Sequence, residues 1–536
     1  MVDVGLGACW WDLVERRAAI TPDRLMLADE RGRELSFAGF RDQAEAVAAG
    51  LVGFGVEAGM TVSWQLPTVM ESVVLMAALS RLDVVQNPII PILRHAEVDH
   101  IVGQLGADLV VTPGVWRGFD FAAMNRDIAD THGAATLIVD HTLAGPGDLA
   151  LPMGDPAVLP PPALGGGEAA RWVYYSSGTT AAPKGARHSD LTAMAGSNGF
   201  VENMGLDADD VFPVPVPCTH IAGICVTTAQ LRVGFRVLLI EIFDPERSPF
   251  MMAEHEATVV GSAPPFFHAY LAAQQAHGPE PLFPRLRMGL SGGAPSPPEL
   301  HFEVKHQLGG AGIVSGWGLT EFPIATMASP IDSDDVIAHT AGHPSRDVLV
   351  RVVDPGGSDL PPGAEGELRI KGPQMLLGYV DAALDADAFD ELGYFRTGDL
   401  GTLDEDGNVR ITGRIKDIII RNAENISATA VENVLYLHPD IADVAVVGIP
   451  DPRTGERCCA AIVLAPGAGP LTLSAIADHC RAHGLASQRI PERIDMFETL
   501  PRNAMGKLLK QDIRSEVVQR STTETDRPRA QQQMRP

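Results

Sequence analysis

The stretch Tyr174–Ser189, YYSSGTTAAPKGARHS, decides how the chain is read. The apolar run RWVYYSS leads into it and reads as a buried strand. Small hydroxyl-bearing residues follow, then Pro183 and Lys184. A strand that ends this way leaves backbone N–H groups and Ser/Thr hydroxyls free to surround an anion. Gly178 lets the backbone curl, Pro183 stiffens the exit, and Lys184 adds a point charge. The pattern is not that of a P-loop, which needs glycine, four residues, then Gly-Lys and Ser or Thr. Here Lys184 precedes Gly185, and Gly178 lies seven positions before Gly185. An ordinary polar loop has the same local composition, so support has to come from elsewhere in the chain.

Working outward, WWDLVERRAAI (10–20) has helical spacing and stops at Thr21-Pro22. Ser36 opens a second helix that ends at a glycine; TVSWQL (61–66) is strand-like, and ESVVLMAALSRL is an apolar helix. Helices and short strands alternate in this way to about residue 140, and beyond the opening stretch further α/β units run to about residue 345. The expected class is α/β, with doubly covered, mostly parallel sheets. Pro152, Pro156, Pro160, Pro161 and Pro162, then Gly165-Gly166-Gly167, mark a surface loop. From about 346 to 413 the short runs DVLVRVVD, GELRIKG and NVRITG predict an antiparallel β module. After Arg414 a compact α+β unit is expected. DIIIR, ADVAVVGI and CCAAIVLA are its strands, Ser427 caps one helix, and LSAIADHCRAHG is another, ended by Gly484. The expected division is 1–413, a large N-terminal domain; 414–516, a small mobile C-terminal domain; and 517–536, a disordered tail.

The 536 residues carry a formal net charge of -27. That argues against a nucleic-acid partner, which needs a basic face, but a small phosphate site needs only a few local cations. None of the six cysteines has metal-ligand spacing, and adjacent Cys458-Cys459 reads as a packed strand pair. No run reaches the length of a membrane span and no leader precedes the first helix, so a cytoplasmic protein with reduced thiols is expected.

Five more stretches bear on the phosphate reading. They are SGGAPSPPEL (291–300), GWGLTEF (316–322), YFRTGDLG (394–401), GRIKDIIIRNAENISATAVE (413–432) and PRNAMGKLLK (501–510). In order and spacing, with the opening stretch, they resemble the acyl-adenylate-forming superfamily. It includes acyl-CoA synthetases and the adenylation domains of peptide synthetases. The resemblance runs from the helix before Pro22-Asp23 to Lys510, and six ordered motifs are far more specific than any one.

The resemblance implies a role for each matching residue. Ser176, Ser177, Gly178, Thr179, Thr180 and Lys184 would hold the β- and γ-phosphates of ATP. Gly292, Gly293, Ala294 and Pro295 would lie along the adenine, with Trp317 and Gly318 beside the base. Thr320 would hydrogen-bond the α-phosphate, and Glu321 would hold Mg²⁺. Asp399 would accept from the ribose hydroxyls, with Arg414 next to it. Lys507 would reach the α-phosphate and the attacking carboxylate. Lys416 would be the hinge about which the small domain turns between half-reactions. His220, in VPCTHIAGI, would line the channel shared by acyl group and thiol. Ile221, Gly223, Gly261, Ser262 and Pro264 would shape an apolar acyl pocket.

The implied activity is an acid–thiol ligase: a carboxylate becomes acyl-AMP with release of pyrophosphate, and coenzyme A then displaces AMP. The substrate expected is an apolar medium-chain, alicyclic or steroid-type acid. A stand-alone adenylating enzyme that loads a separate carrier protein is the first alternative, and an inactive nucleotide sensor the second. The sequence leaves the oligomeric state open. Two positions depart from the family pattern. Ala181 replaces a glycine of the phosphate loop, and Asn422-Ala423 stands for Gly-Gly where relatives pass the thiol arm of coenzyme A. A methyl group at Ala423 would narrow that tunnel.

Overall fold

A computed structural model describes residues 2–143, 145, 148–176, 183–293, 296–421, 424–451, 453–503 and 506–525. The chain forms two compact units. The first comprises Met1–Arg351, Arg369–Thr397 and Asp404–Val409; the second comprises Val352–Leu368, Gly398–Leu403 and Arg410–Pro536.

The first unit holds the α/β layers expected from the alternation. Its seven-stranded sheet runs in the order Gly378–Tyr379, Lys184–Ser189, Ala170–Ser176, Val85–Pro88, Thr61–Trp64, Leu109–Thr112, Ala135–Ile138. The last five are parallel, and the first two are added antiparallel at one edge. A five-stranded sheet repeats the arrangement: Val259–Ser262, Met288–Gly292 and Ile313–Leu319 are parallel, then Phe322–Met327 and His343–Pro344 turn back. Val211–Val214, Arg236–Leu239 and Leu25–Asp29 form a third parallel set, with Glu34–Ser36 antiparallel beside it. Parallel strands are covered on both faces, which is why they read as continuous apolar runs.

The helices bury what their spacing predicts. Helix Trp10–Ile20 buries Trp10, Trp11, Leu13 and Val14, and Trp10 meets Trp172 edge-on at 6.1 Å. Each such side chain adds about 1.5–3 kcal/mol relative to exposure. Helix Phe37–Gly53 starts where Ser36 Oγ accepts the Gly39 N–H at 3.1 Å. The Pro/Gly-rich break is docked along that helix. A Cβ on Gly50 would lie 2.2 Å from the Pro152 carbonyl oxygen, and the Gly154 N–H donates to the Ala46 carbonyl at 2.8 Å. Strands Leu349–Val353, Gly366–Lys371, Phe395–Leu403 and Val409–Arg414 occupy the segment read as β module.

In the second unit, strands run Glu424–Ser427, Ile418–Arg421, Gly455–Leu464, Ile441–Asp451, with Arg493–Met496 parallel to Gly455–Leu464. Cys458 and Cys459 alternate faces. One joins Ile419 and Cys480 in the core under helices Ala428–Leu435 and Leu473–Ala482; the other joins Ala445 and Ile513 on the far side. All six cysteines are buried and free. The expectation of an unstructured chain from 517 needs correction, because helix Lys510–Thr525 continues past it. Ile513 and Val517, four apart on one face, are fully buried against Val447, Cys459 and Phe497. That tertiary contact holds a helix that composition alone disfavours.

Candidate active site

The opening stretch begins and ends in two paired antiparallel strands. Ser176 ends one strand, Lys184 begins the next, and the two are register partners. Ser177, Gly178, Thr179, Thr180 and Ala181 lie outside the described residues, as do Ala294, Pro295, Asn422 and Ala423.

Around these two strands the first unit gathers residues from separate motifs. Thr320 and Glu321 form the tight turn between strands Ile313–Leu319 and Phe322–Met327, where Leu319 pairs Phe322. Glu321 is buried, and its Oε1 accepts from Ser176 Oγ at 3.1 Å and Tyr379 Oη at 3.0 Å. The Leu376 N–H donates to the Glu321 carbonyl at 2.9 Å. His188 Nε2 lies 2.9 Å from the Thr320 carbonyl oxygen. A carbonyl only accepts, so Nε2 carries the proton. Burial pushes His188 down to about 4, which keeps the ring neutral. Lys184 Nζ stands 5.8 Å from the centre of the Tyr379 ring.

The expected base-binding residues line two paired strands. Gly292 ends Met288–Gly292 opposite Gly316, and Trp317 follows, largely buried. A Cβ on Gly292 would meet only the Gly316 carbonyl oxygen, at 3.7 Å, so a flat ring has room to approach. Gly293 has φ +77° and needs glycine. A Cβ on Gly318 would lie 2.5 Å from the Ile324 nitrogen, so its glycine serves the hairpin itself.

His220 precedes helix Ile221–Val233, and its Nδ1 accepts the Ala222 N–H at 3.2 Å. Burial pushes it down to about 4. With Ile89, Leu93, Ile101, Tyr174 and Thr320 it lines a small cavity of about 10 Å³, room for about one water. Lys, Arg, Asp and Glu are absent from the walls of that cavity among the described residues. Ile221 also lines it; Gly261, Ser262 and Pro264 do not, and Gly223 lines a separate apolar cavity with Cys218 and Val226.

In the second unit, Arg414 Nε lies 2.5 Å from Asp399 Oδ1, which is buried. Lys507 sits in a turn in which its N–H donates to Asn503 Oδ1 at 2.9 Å and its carbonyl accepts from the Asn503 N–H at 2.8 Å. Burial, then the neighbouring Arg414 guanidinium, push Lys507 down to about 8, and Asp399 opposes them. Lys416 lies in the single turn Ile415–Asp417 just after Arg414.

Residues 14–380 match the family described as AMP-binding enzyme, and residues 430–507 match the AMP-binding enzyme C-terminal domain. The chain belongs to the AMP-binding enzyme family. These adenylate-forming enzymes include a medium-chain fatty-acid–CoA ligase of Escherichia coli, 29% identical over 97% of this chain and 92% of that one. A salicyl-AMP ligase / salicyl-S-ArCP synthetase of Mycobacterium tuberculosis is 33% identical over 92% of this chain and 88% of that one. Among solved structures, ATP-bound MatB from Rhodopseudomonas palustris superposes with TM-score 0.84 at 26% identity, over 95% of this chain and 99% of that one. AMP-binding enzymes of this kind use ATP, and the fold class read from the alternation of elements is theirs.

A magnesium ion suits the donor set. Among the described residues no cluster of three or more His, Cys, Asp or Glu could hold a metal. Mg²⁺ needs no such cage, because it is commonly held by one or two carboxylates plus substrate phosphates. His188 and Tyr379 were not among the residues singled out from sequence. His188 stands inside the opening stretch, but neither spacing nor composition distinguishes it there, and no motif marks Tyr379. No helix among the described residues is long and apolar enough to cross a membrane.

Proposed function

We propose that this enzyme activates an apolar carboxylic acid of medium-chain, alicyclic or steroid type as its acyl-AMP, then transfers the acyl group to coenzyme A. The observation that supports it is the lining around His220 and Thr320, where Ile89, Leu93 and Ile101 stand and no charged side chain does among the described residues. In the first half-reaction a carboxylate oxygen bonds to the α-phosphorus of ATP and pyrophosphate leaves. In the second, the thiol sulfur bonds to the carbonyl carbon, AMP leaves with the bonding pair, and the thiol proton is released.

The residues divide this work. Ser176, Lys184 and the loop between them, Ser177 to Thr180 included, would hold the β- and γ-phosphates. Trp317 and residues 292–295 would receive the adenine, and Thr320 the α-phosphate. Asp399 and Arg414 would take the ribose. Lys507 would offset charge where two anions meet. Glu321 would bind Mg²⁺, which supplies neutralisation of charge on the departing pyrophosphate. His220, neutral, fits beside an apolar acyl group better than a cation would. The division expected from sequence, 1–413 and 414–516 about a hinge at Lys416, would let Lys507 leave the site between the two steps.

A carrier-protein acceptor is the second reading. The relative named for both salicyl-AMP and salicyl-S-ArCP favours it, as does the replacement of a tunnel glycine by Ala423. The test is AMP release across a panel of acids, with and without free coenzyme A. Pyrophosphate release with each acid, and AMP release only when free coenzyme A is present, supports the first reading. Pyrophosphate release with acyl-AMP retained despite coenzyme A supports the second.

A further inference from the structure

The Thr320–Glu321 turn is held by two side chains, His188 within the opening stretch and Tyr379 outside the six motifs. His188 fixes its backbone through the Thr320 carbonyl, and Tyr379 fixes its carboxylate. Ser176 and Tyr379 both donate to the same oxygen of Glu321, Oε1. No described residue hydrogen-bonds Oε2. A carboxylate held by described residues at one oxygen alone is already oriented, and its second oxygen accepts a cation without giving up either of those partners.

Tyr379 is itself held from both sides. It pairs with Ala186 in the sheet, and its N–H donates to Asp385 Oδ1 at 2.8 Å. The preceding Gly378 has φ +124°, and a Cβ there would lie 2.7 Å from Asp385 Oδ2. The phenol therefore has a fixed origin, and a strand edge aims it at the turn.

We infer that Tyr379 is a positioning residue for the metal-binding carboxylate: its hydroxyl holds Glu321 by Oε1 and leaves Oε2 for the divalent cation that accompanies ATP. This rests on the role proposed above for Glu321. Hydrogen bonds to a metal-ligating carboxylate set its direction and basicity, and losing one costs about 10-fold to 100-fold in metal affinity.

The test is calorimetric titration of the full chain with ATP, once in Mg²⁺ and once in EDTA, for wild type, Tyr379→Phe and Glu321→Gln. The Mg²⁺ dependence of acid-dependent pyrophosphate release is measured beside it. Tyr379→Phe is expected to weaken binding in Mg²⁺, and to raise the Mg²⁺ needed for half-maximal rate, by about tenfold, with binding in EDTA unchanged. A merely structural tyrosine would move both titrations together, and that result overturns the inference. Wild-type Mg²⁺ dependence in Tyr379→Phe, with Glu321→Gln impaired, overturns it while the role of Glu321 stands. Wild-type dependence in both variants overturns both. If Tyr379→Phe does not fold, Tyr379→Met, which also lacks the hydroxyl, is held to the same outcomes.

Discussion

Arg414 Nε sits 2.5 Å from the buried Asp399 Oδ1, so the acid expected to receive the ribose is already engaged by the chain's own cation. The pair presets the carboxylate's direction and lowers the cost of ordering it when a nucleotide arrives. Asp399→Asn removes the charge and leaves a partly buried guanidinium unopposed. We expect a stability loss of about 1–3 kcal/mol, read by urea denaturation, and a raised KM for ATP with KM for the acid unchanged.

Lys507→Ala is expected to abolish acyl-AMP formation, read as acid-dependent pyrophosphate release. Acyl-AMP supplied ready-made should still pass to the thiol at the wild-type rate. A variant that adenylates normally removes Lys507 from the chemistry.

The pH profile of the same step should carry the signature of that lysine. Lys507 lies at about 8, well below an ordinary lysine. Its positive charge is therefore present at neutral pH and lost as pH rises through about 8. The rate constant kcat/KM for adenylation, which reports the free enzyme, should fall on that alkaline limb. Lys507→Arg, charged throughout, should lose the limb even if its rate is lower.

Stability should fall on the acid side. His188 and His220 both lie at about 4, because burial penalises their charged forms. In the unfolded chain each protonates near 6.5. Between those values the unfolded chain binds more protons, so stability is lost as pH falls from about 6.5 towards 4. Melting temperatures measured across that range should drop, and His188→Gln should flatten part of the slope.

His188→Phe separates packing from hydrogen bonding at the turn. It removes the donor to the Thr320 carbonyl and keeps an aromatic ring. We expect kcat for adenylation to fall about tenfold, the effect of roughly 1.4 kcal/mol, with His188→Gln recovering part of it. An unchanged kcat in the Phe variant would show that the turn holds itself.

What was legible in the sequence depended on distance along the chain. The helix starts at Ser36 and Ser427 were readable because a cap bonds an N–H three residues away. The parallel sheets were readable because strands buried on both faces repeat as apolar runs. The six motifs were readable because each keeps its residues together, and they led to the family before any coordinates. The hold on the Thr320–Glu321 turn was not readable. His188 reaches Thr320 across 132 residues, and Tyr379 reaches Glu321 across 58, with no local pattern to announce either. The helix through Val517 was missed for the same reason: its polar composition argues for a tail, and only Phe497, Val447 and Cys459 supply the surface that holds it.

The six buried thiols give the enzyme an internal clock. Burial pushes Cys218, Cys225 and Cys458 up to about 12, so thiolate is scarce near neutral pH and a maleimide finds no target in the closed fold. Labelling then counts opening events, not exposed sites. Cys9, Cys218 and Cys225 time the first unit, and Cys458, Cys459 and Cys480 time the second. A single chain, labelled and digested at intervals, reports two unfolding rates side by side, and adding ATP to the tube shows which of the two it slows.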